Sequence, residues 1–328
     1  MDRKVLSDWK ENSEYRTVCP QLWSPSLFEK VECLVQTKLL SNGQALLDYK
    51  RIFRNYVEVI WHVLRTDYPF WGIIRKTNNH VLIPNHWVAY MLSKGLSNVD
   101  YLPNQGILSI HFHDNTYSFS GALNNGDLVG IFTNKEYSFL DVEDEVVIDV
   151  GANIADSSIY FAAVGAKHVY ALEPYPSTFA DAKKNVEINN LTSKITVLNA
   201  GVAAEDSSVT IDPKFQGFVS QDVTNFNTGV SVPLFSLARL VRDCNIENAI
   251  LKMDCEGCEY ASILSTESSV LRKFKQIQIE YHYGSVSYLL SKLRDGGFDV
   301  SMVEGPREFN KFATRHYMSR GNVFAQRI

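Results

Sequence analysis

The sequence lacks the features that mark several large classes of protein. It has no uninterrupted apolar run near the roughly 20 residues that a membrane-spanning helix needs, and its start, "MDRKVLSDWKENSEYR", is rich in polar residues. It has no dense stripe of lysine and arginine, and the 328-residue chain has a formal net charge of -5, which excludes long stretches of nucleic acid as partners. We therefore expect a soluble, cytoplasmic protein that acts on a small or neutral molecule.

Cysteine is also scarce. The five cysteines are Cys19, Cys33, Cys244, Cys255 and Cys258, an odd number that does not indicate the disulfide framework of a secreted protein. Cys255 and Cys258 form a C-x-x-C pair, but a zinc site would need a second close pair or two histidines, and a redox dithiol would need exposure at a helix start. We favour two small residues packed near a site, with zinc and redox chemistry as the alternatives.

A third absence concerns glycine. "VVIDVGANIADSS", residues 146–158, reads as a buried strand followed by a turn and a helix, the place where a dinucleotide site carries G-x-G-x-x-G. Here Asn153 and Asp156 stand at the second and third glycine positions, and no P-loop lysine exists. A nicotinamide site is therefore disfavoured, although the backbone NH groups of such a turn still bind a carboxylate.

The first part of the chain, residues 1–138, is predicted to be a helical and then short-strand region. Apolar residues at helical spacing predict helices near 24–40 and from Gln44 to Leu64, and turn sequences between 106 and 140 predict hairpins. The N-terminal helices are rich in aromatic residues, which more often form a core than a substrate cleft or subunit contact. We expect this region to provide substrate contacts or a homo-oligomer interface.

From residue 139 to residue 328 the pattern changes to alternating strands and helices. "EVVIDV", "HVYALE", "NAILKMD" and "QIQIEYHY" are apolar strands, and amphipathic segments separate them. This pattern predicts an α/β domain with an open parallel sheet, which binds ligands at the carboxyl ends of its strands.

One acidic residue narrows the choice of ligand. Glu173 stands 22 positions after Gly151, at the end of the next predicted strand. A carboxylate there only accepts hydrogen bonds, so it matches the two hydroxyl groups of a ribose. A glycine turn and this acid suit a ligand that has a ribose and an amino-acid end, and S-adenosylmethionine is that ligand.

The sequence resembles the FkbM-type family of class I S-adenosylmethionine-dependent methyltransferases. The resemblance covers residues 140–328 and lies in "VVIDVGANIADSSIYFA", "VYALEPYP", "VLNAGVA" and "LKMDCEGCEYASIL" followed by "IEYH". It implies a Rossmann-like seven-stranded sheet with an antiparallel last strand, and methylation mostly of hydroxyl oxygens on sugars or secondary metabolites. The residues it implies for the cofactor are Asp149, Gly151, Ala152, Asn153, Glu173, Pro174, Asn199, Ala200, Gly201 and Asp254. One departure is Ala155, where relatives usually have glycine.

Methyl transfer to a hydroxyl also requires removal of the acceptor proton. Gln278, Glu280 and His282 alternate along one predicted strand and share a face, so we expect Glu280 and His282 to lie near Asp254 and Glu256. His282 is the best single candidate for the base because an unperturbed imidazole titrates near neutrality. The catalytic candidates are therefore His282, Glu280 and Glu256.

Two alternatives remain at these residues. His282 pairs with Glu280 in a purely structural role, or the three acids Asp254, Glu256 and Glu280 hold Mg²⁺. We favour a site without a metal. The expected function is O-methylation of a sugar, glycan or secondary metabolite. The alternatives are a non-catalytic S-adenosylmethionine-binding subunit of an assembly and a nicotinamide-dependent oxidoreductase.

Overall fold

The computed structural model describes residues 41–94, 99–102, 106–121, 127–214, 226–282, 285–304, 308–309, 317–318 and 320–328. The described residues form two compact units. The N-terminal unit comprises residues 41–136 and 184–190, and the sheet unit comprises residues 137–183 and 191–328. The helix predicted near 24–40 lies outside the described residues. In the part of the chain that is described, no helix has the length and apolar character needed to cross a membrane.

The N-terminal unit combines short helices with two small antiparallel sheets. Strands β1 and β2 form one sheet, and β3, β4 and β5 form the other. The elements are α1 (Ser41–Ile52), α2 (Tyr56–Arg65), β1 (Phe70–Ile73), β2 (His80–Ile83), α3 (His86–Ser93), β3 (Val99–Leu102), β4 (Ile107–Phe112), β5 (Asn115–Ser120) and a π-type helix (Val129–Thr133). Helix α3 begins where the side chain of Asn85 accepts a hydrogen bond from the Val88 amide at 3.1 Å.

The single helix predicted from Gln44 to Leu64 is wrong. The chain forms two helices, because the backbone after Ile52 pairs with the first strand instead of continuing the helix. The Arg54 amide donates to the Ile73 carbonyl at 2.7 Å, and the Arg75 amide donates to the Ile52 carbonyl at 2.8 Å. Apolar spacing alone does not reveal this break, since both halves keep the helical period.

The prediction of strands up to residue 140 is also partly wrong. Strands β4 and β5 form a hairpin, but the apolar run after it is the π-type helix rather than a strand. Phe132 in that helix packs edge-on against Phe112 and Phe119, with ring centroids 5.2 and 5.9 Å apart. A short apolar run is compatible with either structure, and here packing decides.

The sheet unit is built on a seven-stranded sheet in the order β14-β17-β13-β12-β6-β7-β8. All neighbours are parallel except β17, which runs antiparallel to both β13 and β14. Strands β9, β10 and β11 form a separate small sheet, and β15 pairs with β16. The strands are β6 (Val146–Val150), β7 (His168–Leu172), β8 (Ile195–Leu198), β9 (Gly201–Val202), β10 (Ser207–Ile211), β11 (Val230–Phe235), β12 (Ala249–Met253), β13 (Phe274–His282), β14 (Phe298–Glu304), β15 (Glu308–Phe309), β16 (Tyr317–Met318) and β17 (Arg320–Arg327).

Helices alternate with these strands, which confirms the predicted class I, Rossmann-like sheet with an antiparallel last strand. They are α4 (Asp156–Ala163), α5 (Pro176–Ile188), α6 (Leu237–Asp243), α7 (Glu259–Ser265), α8 (Ser268–Leu271) and α9 (Val286–Asp295). The central strands are apolar and buried, as in β12, where all five residues are buried. Because β6, β7, β12 and β13 are parallel, their carboxyl ends lie along one edge of the sheet.

Candidate active site at the carboxyl edge of the sheet

The turn after β6 is held tightly between its two neighbours. The amides of Gly151 and Ala152 both donate to the Leu172 carbonyl at the end of β7, at 3.1 and 2.9 Å. Gly151 has a φ of +74°, and a Cβ atom there would lie 1.8 Å from the carbonyl oxygen of Asp254. Only glycine therefore allows the turn to approach the loop after β12.

Ala155, the departure from the family pattern, also has a left-handed backbone. Its φ is +65°, and it directly precedes helix α4. For a residue with a Cβ atom this conformation costs about 1–2 kcal/mol, a strain that glycine avoids. Its methyl group is enclosed by the protein, so this departure is a matter of backbone strain.

Asp149 lies at the end of β6, and its carboxylate is fully buried. One oxygen, Oδ1, lies 3.0 Å from the ammonium group of Lys252, and the hydroxyls of Ser157 and Ser158 donate to Oδ2 at 2.7 and 2.5 Å. Lys252 also donates to the Gly151 carbonyl at 2.9 Å. The cofactor role of Asp149 stays a prediction. Its carboxylate is engaged inside the protein and positions the turn.

The lysine of this pair keeps its charge although it is buried. Burial lowers the pKa of Lys252, but the carboxylates of Asp149 and Asp254 raise it further, so it lies above its ordinary value. The register pairs Lys252 with Asp149 across β12 and β6. The ion pair thus joins the two strands at the point where the turn after β6 begins.

Glu173 follows β7 and is 5% exposed. Its Oε2 accepts a hydrogen bond from the Asn153 amide at 3.1 Å, and its Oε1 accepts one from the Tyr175 amide at 2.9 Å. Burial raises the pKa of the Glu173 carboxyl to about 8, and these two hydrogen bonds and Lys252 offset that effect only in part. Each oxygen keeps capacity for a further hydrogen bond. The ribose role of Glu173 stays a prediction.

The loop after β8 is tied to the same carboxyl edge. The side-chain amide of Asn199 donates to the backbone carbonyls of Glu173 and Pro174, both at 3.0 Å. Ala200 is buried, and a Cβ atom at Gly201 would lie 3.4 Å from the Cβ of Pro174. These predicted cofactor residues are thus brought together, and Asn199 fixes the chain on which Glu173 stands.

The loop after β12 is closed by a disulfide bond between Cys255 and Cys258. The two cysteines pack against the core near the site, as expected, but the disulfide between them was not expected. The carboxylate of Glu259 is fully buried and accepts hydrogen bonds from the amides of Cys255 and Gly257 at 3.0 and 2.9 Å. Within this closed loop Glu256 has a left-handed backbone with a φ of +57°.

His282, at the end of β13, lies at the centre of a group of carboxylates. Its Nδ1 is 3.2 Å from Glu259 Oε1, and its Nε2 is 3.4 Å from Glu256 Oε2, 3.7 Å from Glu280 Oε1 and 4.0 Å from Asp254 Oδ1. The imidazole is 3% exposed, whereas the side chains of Asp254, Glu256 and Glu280 are 28%, 18% and 25% exposed. The structure therefore brings all three predicted catalytic residues and Asp254 together.

The charge state of this group differs from the expectation. Burial lowers the pKa of His282, but Glu259, Glu256 and Asp254 raise it more, to about 10. The choice of His282 as base rested on the pKa of an unperturbed imidazole, whereas these carboxylates keep the ring protonated at neutral pH. Burial raises the pKa of Glu256 to about 7, against the opposing charge of His282. The catalytic roles of His282, Glu280 and Glu256 stay predictions.

The comparisons with known proteins bear on this edge of the sheet. Residues 149–300 match the methyltransferase FkbM domain. The chain contains an FkbM methyltransferase domain. Among solved structures, the FkbM methyltransferase from Methylobacillus flagellatus KT has 16% identity and a TM-score of 0.39, over 57% of this chain and 44% of that chain. M. jannaschii TYW2 in complex with AdoMet has 14% identity and a TM-score of 0.40, over 70% of this chain and 94% of that chain.

A curated relative is similar over a shorter stretch. Protein arginine N-methyltransferase 1 of Oryza sativa subsp. indica is 36% identical over 92 residues, which are 28% of this chain. The chain spans only 22% of the length of that relative.

The FkbM domain offers groups that fit S-adenosylmethionine. Glu173 supplies acceptor oxygens with unused lone pairs for a ribose diol, and the turn at Gly151 leads into the amino end of α4, which favours a carboxylate. The carboxyl acceptor of Glu173 and the backbone amide donors along this edge match a ligand with both a ribose and an amino-acid end.

Three functional residues of the FkbM domain were missed at the level of sequence. Lys252 is the one charged residue within the apolar strand β12, and that isolation is the signal that points to a buried partner. Ser157 binds Asp149, and Glu259 orients both the closed loop and His282. Their roles depend on which side chains meet in space, so the sequence alone gave no comparable signal for them.

Proposed function

We propose that the protein is an S-adenosylmethionine-dependent methyltransferase that methylates a hydroxyl oxygen of a sugar, glycan or secondary metabolite. The observation that carries this proposal is the arrangement at the carboxyl edge, where buried Glu173 adjoins the Gly151 turn. The FkbM domain supports methyl transfer as the chemistry.

Four parts of the chain serve the cofactor in this proposal. The backbone of the Gly151 turn holds the methionine end, Glu173 holds the ribose hydroxyls, and Asn199 keeps the segment after β7 in place. The ion pair of Lys252 and Asp149 holds the turn through the hydrogen bond from Lys252 to the Gly151 carbonyl. When bound, S-adenosylmethionine supplies a methyl group already activated by its sulfonium. The protein therefore has to align the acceptor and exclude water.

The acidic group around His282 serves the acceptor. Because His282 is protonated at neutral pH, its Nε2 does not take the hydroxyl proton. Glu256 Oε2 and Glu280 Oε1 lie 3.4 and 3.7 Å from that nitrogen, and both side chains are partly exposed, so their carboxylates are the acceptors that an incoming hydroxyl meets. The imidazolium holds these carboxylates in place by charge.

A second candidate acceptor is a guanidinium group. The match to a protein arginine N-methyltransferase and the partly exposed carboxylates of Asp254, Glu256 and Glu280 favour it, because carboxylates bind a guanidinium in a bidentate manner. The match covers a small part of that relative, so the hydroxyl acceptor remains the proposal.

A transfer assay with methyl-labelled S-adenosylmethionine tests the proposal. The acceptor panel contains sugars, glycans, hydroxylated metabolites and an arginine-rich peptide, and mass spectrometry locates the added methyl group. We expect O-methylation and loss of turnover in Glu280→Gln with unchanged cofactor affinity. Label transferred to the peptide alone would establish the guanidinium acceptor instead. Cofactor binding without transfer to any acceptor would indicate a non-catalytic binding subunit, and tight binding of NADH alone would indicate an oxidoreductase.

A further inference from the structure

The group of side chains at the carboxyl ends of β12 and β13 contains a histidine as well as carboxylates. Asp254, Glu256 and His282 each offer one ligand atom, and these atoms lie within 4.8 Å of one another. The geometry points to a binding site for a divalent first-row transition-metal cation, held by Asp254, Glu256 and His282.

The spacing of the donor atoms suits such a cation. Bonds of about 2.0–2.2 Å from a metal to imidazole nitrogen and carboxylate oxygen place neighbouring ligand atoms about 3.0–3.5 Å apart. His282 Nε2 lies 3.4 Å from Glu256 Oε2 and 4.0 Å from Asp254 Oδ1. A small shift of the partly exposed Asp254 side chain brings all three within range.

The orientation of the histidine is set by a further carboxylate. His282 Nδ1 lies 3.2 Å from Oε1 of fully buried Glu259, which is itself held by the amides of Cys255 and Gly257. Histidines that bind metals usually engage a carboxylate or carbonyl through the other ring nitrogen in this way. The arrangement leaves Nε2 of a 3% exposed ring facing Glu256 and Asp254.

The negative charges of the site also favour a bound cation. Glu256 Oε2 is buried and makes no hydrogen bond with any residue that the structure describes. The imidazolium of His282 compensates the charge of this oxygen, and a metal ion that binds Nε2 displaces the imidazolium proton and provides the compensating charge instead. The ammonium of Lys252 is engaged by Asp149 at 3.0 Å, so its charge serves the turn after β6. Asp254 and Glu256 remain partly exposed, which gives a cation access from solvent.

The donor set also selects the kind of metal. Mg²⁺ and Ca²⁺ take oxygen ligands and water, whereas an imidazole ligand favours first-row transition metals. The role of the cation rests on the proposed function: it would bind the acceptor oxygen and lower the pKa of its hydroxyl. Glu280, whose Oε1 lies 3.7 Å from Nε2, then remains to take the proton.

Binding of Mn²⁺ alone tests the site. The 328-residue protein is treated with a chelator, desalted and titrated with Mn²⁺, and the concentration of the free ion is measured by electron paramagnetic resonance. We expect one bound ion per chain, weakened by about tenfold or more in Glu256→Gln and in His282→Gln. The control Asp299→Asn, an exposed acid on β14, should bind as the wild type does. In competition, Mg²⁺ and Ca²⁺ should displace Mn²⁺ only at higher concentrations than Zn²⁺.

Three results would overturn the inference. These are no Mn²⁺ binding, binding unchanged in Glu256→Gln, and displacement by Ca²⁺ as effective as by Zn²⁺. Thermal melting checks that each variant folds. If His282→Gln does not fold, Mn²⁺ binding by Glu256→Gln, at a partly exposed position, decides whether the site exists.

The binding assay contains neither S-adenosylmethionine nor an acceptor, so its result does not depend on the proposed function. Methyl transfer that chelation abolishes and Mn²⁺ restores would support the role at the acceptor. Transfer unaffected by chelation would overturn that role.

Discussion

Glu173 is expected to make cofactor binding depend on pH. Burial raises the pKa of this carboxyl to about 8, so at pH 7 only about a tenth of the molecules carry the charged form. A ribose diol donates hydrogen bonds and therefore selects the charged carboxylate. The affinity for S-adenosylmethionine should thus rise by about tenfold per pH unit below pH 8 and level off above it, with about one proton released per cofactor bound at pH 7.

Calorimetry on the wild type and Glu173→Gln between pH 6 and pH 9 measures this effect. At pH 9 the substitution should weaken binding by about 1.5–3 kcal/mol, the range for hydrogen bonds to a charged group. At pH 6, two units below the pKa, deprotonating Glu173 costs the wild type about 2.7 kcal/mol of its binding free energy. The wild type and Glu173→Gln should therefore bind the cofactor about equally at pH 6. The exposed control Glu205→Gln should follow the wild type throughout. The ligand's own groups titrate in the same way with every variant, so they cancel in the ratio of the dissociation constants of Glu173→Gln and the wild type. A ratio that stays constant from pH 6 to pH 9 would refute the reasoning.

Two further predictions concern the frame of the site. Lys252→Met should lower the free energy of unfolding by about 3–5 kcal/mol, because it leaves Asp149 buried without its partner. Lys275→Met, which breaks a partly exposed ion pair, should cost less than about 1 kcal/mol, and equal losses in urea unfolding would contradict the argument from burial. Gly151→Ala should abolish cofactor binding in calorimetry, because its Cβ atom would lie 1.8 Å from a backbone oxygen. Gly297→Ala, with a φ of +91° and open space around it, should cost about 1–3 kcal/mol in unfolding and leave binding intact; if it abolishes binding as well, the steric argument fails.

Much of the sheet could be predicted from the sequence. Parallel strands buried on both faces appear as short apolar runs, and β6, β7, β12 and β13 are runs of this kind. The position of Glu173 at a strand end followed from the same pattern. Residues that end neighbouring parallel strands lie at the same edge of the sheet, so the proximity of His282 and Glu256 was also predictable.

The electrostatics of the site could not be predicted in this way. The pKa of His282 depends on its distances to Glu259, Glu256 and Asp254, and those distances follow from the loop that Glu259 and the disulfide hold closed. The pairing of Lys252 with Asp149 depends on strand register, which a single sequence does not specify. The helix break after Ile52 has the same cause, since its backbone partners are distant in the chain.

The contact between Gly151 and the carbonyl of Asp254 limits how a domain of this kind diversifies. No side-chain volume separates the bend that precedes α4 from the loop that precedes α7, so enlarging either one displaces the other. In the proposed function these two loops serve the methyl donor and the methyl acceptor, so a change in one loop requires a change in the other. Adaptation to a new acceptor is more readily achieved by residues elsewhere in the chain, away from this shared contact.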